Sequence, residues 1–308
     1  MKLTRAARVL VCTVALAGAA ASAAAYDLPA VNLGFTTFLD GGPPAGRGLY
    51  FQQYVQYWNV HKLAGPDGSG PPPGTPDIDV WLSLSQFIYQ SDKKVLGADV
   101  GLDLIIPALW IEVADNNPLG VTENSPGFGD LYVGTFLQWD PIMGKKGPLF
   151  MHRFEFAANL PTGRYSKTRS LNPGFNMFSI DPYWAGTVWL HPRLTASWRF
   201  HYLWVGENHD TNVKPGQALH ANFAAAYEVL PHRLRVGVNG YWLEQVSNSE
   251  QAGVEVPASR EQVFAIGPGL VYHFSQHDHL FFNVFFETEA ENRSESNVFQ
   301  LRWTHHFT

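Results

Sequence analysis

Charged and polar side chains recur at every second position in several stretches of this 308-residue chain. FMHRFEFAANL (150–160) carries Arg153, Glu155 and Asn159, and LTASWRFHYLW (194–204) carries Arg199 and His201. RLRVGVNG (233–240) carries Arg233, Arg235 and Asn239. Asp99 with Asp103, Asp130, Asp181, His220 with Asn222, Glu287 and Arg302 hold the equivalent phase in their own stretches. Two kinds of chemistry suit such a set. A guanidinium orients a phenolate or carboxylate through charge-assisted hydrogen bonds. Alternatively, opposed Arg and Asp or Glu satisfy one another, because buried charge must be paired. The residues read as candidate solute contacts are Asp130, Arg153, Glu155, Arg199 and Arg235, with Phe35 and Phe38 upstream as apolar contacts.

Catalytic patterns are weak. His305 and His306 are adjacent, so in a strand they face opposite ways and cannot share a site. ENHDTN (207–212) has His, Asp and Asn but no serine to activate. GFGDLYVG (127–134) lacks the lysine of a phosphate loop and reads as strand. Asp115, Glu123 and Asp210 could meet divalent cations, yet no loop has the spacing of a dedicated calcium site. No catalytic residue, cofactor or metal ligand is assigned.

The elements that must position these groups are strands. Successive side chains of a strand point to opposite faces. In NVFQLRWTHHFT (297–308), Phe299, Leu301, Trp303 and Phe307 alternate with Gln300, Arg302, Thr304 and His306. Twelve such segments are read: 49–60, 79–90, 95–111, 127–139, 148–160, 177–190, 194–206, 217–229, 233–246, 260–274, 279–290 and 297–307. Phase slips in 79–90 and 260–274 read as bulges. The connections alternate between long, Gly- and Pro-rich stretches and short ones such as SDKK, HPR and LPH. That asymmetry is expected of an outer-membrane barrel. Aromatic girdles at both interfaces would draw on Tyr50, Tyr54, Trp58, Trp81, Trp110, Trp139, Trp189, Trp204, Trp242 and Trp303. The fold expected is all-β: a membrane-spanning antiparallel β-barrel of about 12 strands over residues 49–308. Both ends of an even-stranded barrel fall on the periplasmic side.

Residues 1–25 read as a cleaved secretory signal: Lys2, Arg5 and Arg8 precede an apolar run and the small-residue site ASAAA. Cys12, the one cysteine, lies inside it, so the mature chain has no disulfide or thiol chemistry. Removing Lys2, Arg5 and Arg8 leaves 18 basic against 27 acidic residues, a net charge of −9. A nucleic-acid partner wants a basic patch and is excluded. Aromatics make up 14% and charged residues only 16%, against about 25% charged in soluble domains. Residues 26–48 are too apolar for a disordered leader. They precede the first strand and read as a segment that plugs the lumen, with Phe35 and Phe38 touching an apolar solute.

Five stretches, taken in order, resemble one family. They are NLGFTTFLDGGPPAGRGLYFQQYVQYW (32–58), GFGDLYVG (127–134), LPTGRYS (160–166), NPGFNMFSIDPYWAGT (172–187) and FETEAENRSESNVFQLRWTHHF (286–307). The family is that of the outer-membrane proteins of the meta-cleavage pathway of phenol degradation. Arg47 departs from the proline expected there. The resemblance implies a Gram-negative outer-membrane channel, porin-like in form and linked to aromatic compound degradation. Expected partners are outer-membrane lipid, lipopolysaccharide, the barrel-insertion machinery and a small apolar or aromatic solute. A structural or surface-binding barrel with a closed lumen is the alternative, and an outer-membrane lipid hydrolase the third reading.

Overall fold

The computed structural model describes residues 28–29, 31–43, 45–71 and 74–307. The signal read over 1–25 lies outside them. Where the sequence alternates, the chain runs as strand. Twelve long strands follow in order: β1 (Gly48–Leu63), β2 (Ile78–Val95), β3 (Ala98–Val113), β4 (Leu131–Gln138), β5 (Gly147–Leu160) and β6 (Tyr183–His191); then β7 (Leu194–Val205), β8 (Ala218–Leu230), β9 (Leu234–Gln245), β10 (Gln262–His273), β11 (Asp278–Glu291) and β12 (Ser294–Phe307). Each pairs antiparallel with its sequence neighbours. The ring closes between β1 and β12, from Leu49 opposite Phe307 to Leu63 opposite Ser294. In lipid every backbone N–H and C=O needs a partner within the protein, and closure removes the two edges that would lack one.

The phase of each strand is set by its side chains. On β12 Phe299, Leu301, Trp303 and Phe307 are 40–47% exposed, while Gln300, Arg302, Thr304 and His306 are at most 8% exposed. Water would penalise that outer wall and the hydrocarbon of a bilayer does not, so the barrel spans a membrane. Trp81 and Trp110 face each other across β2 and β3 on the same outer wall. Tyr50, Tyr54 and Trp58, read as girdle residues, point inward instead. They share the parity of Gln52 and Gln56, and inside they find partners: Tyr50 Oη donates to the Gly46 carbonyl and Tyr54 Oη to Gln86 Oε1. Trp58 Nε1 donates to Gln56 Oε1.

Residues 64–77, 114–130, 161–182, 206–217 and 246–261 form long connections at one end of the barrel. Residues 96–97, 192–193, 231–233 and 274–277 form tight turns at the other. The last connection at the long-loop end departs from the pattern, being only residues 292–293. Val213–Lys214, Glu250–Gln251 and Val254–Glu255 make a small three-stranded sheet within the long loops. The ladder shifts register between Gln90 and Lys94 on β2 and between Gln262 and Phe264 on β10, at the edge of one expected slip and inside the other.

Candidate functional site inside the barrel

The lumen is occupied by the segment that precedes β1. Leu28 lies at the long-loop end, where its amide donates to Glu261 Oε1 (3.3 Å). Leu28, Val31 and Leu33 pack there with Tyr241, Leu243 and Phe285 of the inner wall. The Gly34 amide donates to Asn222 Oδ1 (2.7 Å), and Asn222 Nδ2 returns a bond to the Asn32 carbonyl (2.9 Å). Gly34 has φ of +75°, and a Cβ there would meet the Phe285 ring at 2.8 Å, so only glycine follows this path. Further down, the Leu39 amide donates to Ser197 Oγ (3.1 Å) and the Gly41 amide to Thr187 Oγ1 (2.8 Å). Arg47 binds Asp99 through two bonds at the tight-turn end, where β1 begins. The segment therefore crosses the whole bore.

Hydrogen bonds to the wall satisfy a backbone that has no ladder of its own. Charge fixes it at mid-height. Asp40 takes a bidentate pair from Arg199, 2.9 Å from Nε and 2.7 Å from Nη2, and both side chains are buried. The Arg199 guanidinium also lies 4.0 Å from the Tyr183 ring centroid.

Three of the residues read as solute contacts meet beside this pair. Phe38, Arg153 and Arg199 line a chamber of about 70 Å³, together with Asp40, Tyr54 and Arg302. Arg153 sits 3.8 Å over the Phe136 ring, bonds Gln138 Oε1 (3.1 Å) and lies 3.7 Å from Glu155. Glu155 in turn accepts from Tyr183 Oη (2.5 Å) and Tyr132 Oη (3.1 Å). Phe38 packs with Ala224, Ala226, Val271 and Phe281. Phe35 lies at the far side of Tyr54, with ring centroids 6.1 Å apart.

The other two candidates sit elsewhere. Arg235 pairs with Glu228 (3.5 Å) and lines a wide vestibule of about 940 Å³ at the tight-turn end. Asp130 holds the 161–182 connection, accepting the amides of Gly163 and Phe175, both at 2.8 Å. Burial pushes its carboxyl above the usual carboxylate range, against the pull of those amides. Arg233, placed in the lumen by alternation, is exposed in the turn before β9.

Arg302 was legible as a lumen residue but not as a chamber residue. Its guanidinium lies 3.6 Å over the Phe281 ring and 3.4 Å from the Phe35 carbonyl, with no carboxylate at salt-bridge distance among the described residues. Its Nε has no hydrogen-bond partner. The sequence signal for that placement would have been the segment's path, which carries no periodicity. The chamber therefore gathers three guanidiniums against one lining carboxylate, within walls of Phe and Tyr. Chemically it can hold a small flat solute by its rings and a negative group by its edge.

The fold matches known proteins. The chain belongs to the family described as "Putative MetA-pathway of phenol degradation", whose model matches residues 62–303. It is similar to the crystal structure of the COG4313 outer membrane channel from Pseudomonas putida F1. That likeness has a TM-score of 0.73 at 17% identity and covers 88% of this chain and 98% of that one. A structure described as the CymD monoaromatic hydrocarbon channel aligns over 86% of this chain and 91% of its own, with 10% identity and a TM-score of 0.43. No curated protein matches.

Proposed function

We propose that the protein is a passive outer-membrane channel for small hydrophobic or aromatic compounds. The observation that carries this reading is the chamber of about 70 Å³ beneath the lumen segment, with Phe38, Tyr54 and Phe281 for a ring and Arg153, Arg199 and Arg302 for a phenolate or carboxylate. Leu39, His273 and His279 line both this chamber and the vestibule. The family's link to phenol degradation supports the solute class. The long loops then face outward, the tight turns the periplasm, and residues 1–25 act as a cleaved export signal. Lipid and lipopolysaccharide surround the wall, which the barrel-insertion machinery seats in the membrane.

A second reading has an observation of its own. The Arg199–Asp40 and Arg153–Glu155 pairs bind the lumen charges to one another, as in a closed structural barrel. Liposomes separate the two. The channel reading expects phenol and benzoate to enter protein-loaded liposomes faster than empty ones, and removal of residues 26–45 to change that rate. Permeation equal to that of empty liposomes, with no effect of the deletion, would establish the closed barrel instead.

A further inference from the structure

We propose that Asp181, His201 and His220 form a binding site for one divalent late-transition-metal ion such as Zn²⁺. The three residues come from three neighbouring stretches of the inner wall. His201 on β7 faces His220 on β8 directly across the ladder, and Tyr183 on β6 is the register partner of His201 on its other side. Asp181 precedes Tyr183 by one full period of a strand and keeps its inward phase. All three side chains are buried, and their nearest ligand atoms lie within 4.8 Å of one another.

The distances suit an ion. His201 Nδ1 and His220 Nε2 stand 3.0 Å and 3.2 Å from the same oxygen, Asp181 Oδ1. Bonds of about 2.0–2.2 Å to a tetrahedral ion hold neighbouring ligand atoms roughly 3.3–3.6 Å apart, a few tenths of an ångström wider than these. The two imidazoles stack with centroids 4.0 Å apart and planes at 17°. Rotation about χ2, a broad torsion in histidine, opens them enough to turn both lone pairs on one centre.

Charge favours the same conclusion. Among the described residues no Arg or Lys lies within salt-bridge distance of Asp181; its partners are the two histidines. A buried carboxylate needs a positive neighbour. Two imidazole nitrogens, His201 Nε2 and His220 Nδ1, have no hydrogen-bond partner at all. A hydrogen-bonded triad leaves each ring with its proton on the Asp181 side and a bare nitrogen in the wall. Metal ligation moves each proton to that outer nitrogen and places the ion's charge next to the anion. Two imidazoles and one carboxylate fit Zn²⁺ or Cu²⁺ rather than Ca²⁺ or Mg²⁺, which take oxygen ligands. The fourth position is left to water. The ion would clasp β7, β8 and the lead-in to β6.

The folded protein in detergent, dialysed against chelator, is titrated with Zn²⁺ by calorimetry. The tight-turn end holds other histidines, with His273 Nδ1 2.7 Å from His279 Nδ1 and His277 Nδ1 3.1 Å from His306 Nδ1, so the result is read by difference. His220→Gln and Asp181→Asn should each lose one equivalent of Zn²⁺, and the control His273→Gln/His277→Gln, which breaks both rim pairs, should retain that equivalent. Equal stoichiometry in the unchanged protein and His220→Gln overturns the proposal. Folding of each variant is checked by its heat-modifiable gel mobility. If both triad variants are unfolded, crystals of the unchanged protein soaked in Zn²⁺ decide. An anomalous peak between the three side chains supports the site, and ions found at the rim histidines alone overturn it.

Discussion

Arg199 shows how a single inward residue joins the wall to the lumen. Its bidentate bond to Asp40 is buried, and removing one member leaves the other charge without a partner. Such losses cost about 3–5 kcal/mol, and here the segment can move away from the wall. Asp40→Asn is therefore expected to raise single-channel conductance and shorten closed times in planar bilayers, with the barrel still folded. Unaltered conductance would mean the segment is held by its other bonds to the wall, such as those to Ser197, Thr187 and Asn222. On the outer wall the decisive quantity is hydration of charge. Leu301 is 44% exposed and lies in the middle of β12. Leu301→Arg should lower stability by roughly 2–4 kcal/mol, and Leu301→Ala far less, because lipid fills the space. Urea unfolding in vesicles measures both, and equal losses would refute the lipid-facing phase. At this scale alternation told the inward phase of Arg153, Arg199 and Arg302, but not that of Tyr50, Tyr54 and Trp58, nor that Arg233 lies in a turn. It did not tell that Asp130 belongs to a loop or that Arg302 joins Arg153 and Arg199, because those facts depend on backbone outside the strands.

Strands were the most legible elements, since alternation, tight turns and strand length are all local properties. The third long connection, 161–182, is bonded to Asp130 and could not be placed from its own residues. The segment of residues 31–43 was legible as apolar but not as a path, having no period to align it with any strand. Its course follows from hydrogen-bond partners scattered over β4 to β12, which no spacing in the chain reveals. The three-residue convergence at Asp181 was hidden for the same reason: its members are far apart in sequence, and only strand register brings them together. One expectation belongs to the connections. An epitope inserted at Ala252–Gly253, in the small loop sheet, should be reached by antibody on intact cells. An epitope at Pro192–Arg193 should be reached only after permeabilisation. The opposite pattern would reverse the orientation of the barrel.

The size of the whole ring explains why the lumen segment matters. Twelve strands about 4.8 Å apart, tilted by roughly 40°, close a ring about 24 Å across. Side chains form a layer about 5 Å deep on the inside, half the spacing of packed sheets, which leaves a bore of roughly 14 Å. An empty bore of that width would admit many solutes without discrimination. The segment from Leu28 to Arg47 reduces it to a chamber of about 70 Å³ on one side and a vestibule of about 940 Å³ at the tight-turn end. On the proposed channel reading, discrimination resides in a few residues of a strand-free stretch held inside a rigid cylinder.

That stretch also imposes an order on assembly. Leu28 is at the opposite end of the cylinder from Gly48, where β1 starts, so the chain doubles back through the interior before the wall begins. The wall is sealed by β1 meeting β12, the first strand meeting the last. A closed cylinder of this bore would have to be threaded lengthwise by a stretch that makes its bonds to β4, β7, β8 and β12 along the way. The simpler route is for the wall to wrap around the stretch and seal last, using it as a mandrel. A compact folded domain fused directly ahead of Leu28 is then expected to block sealing, leaving protein that shows no heat-modifiable mobility. The same domain fused within the 246–261 connection should be tolerated. Normal sealing of the first fusion would show that the stretch enters after the wall has closed.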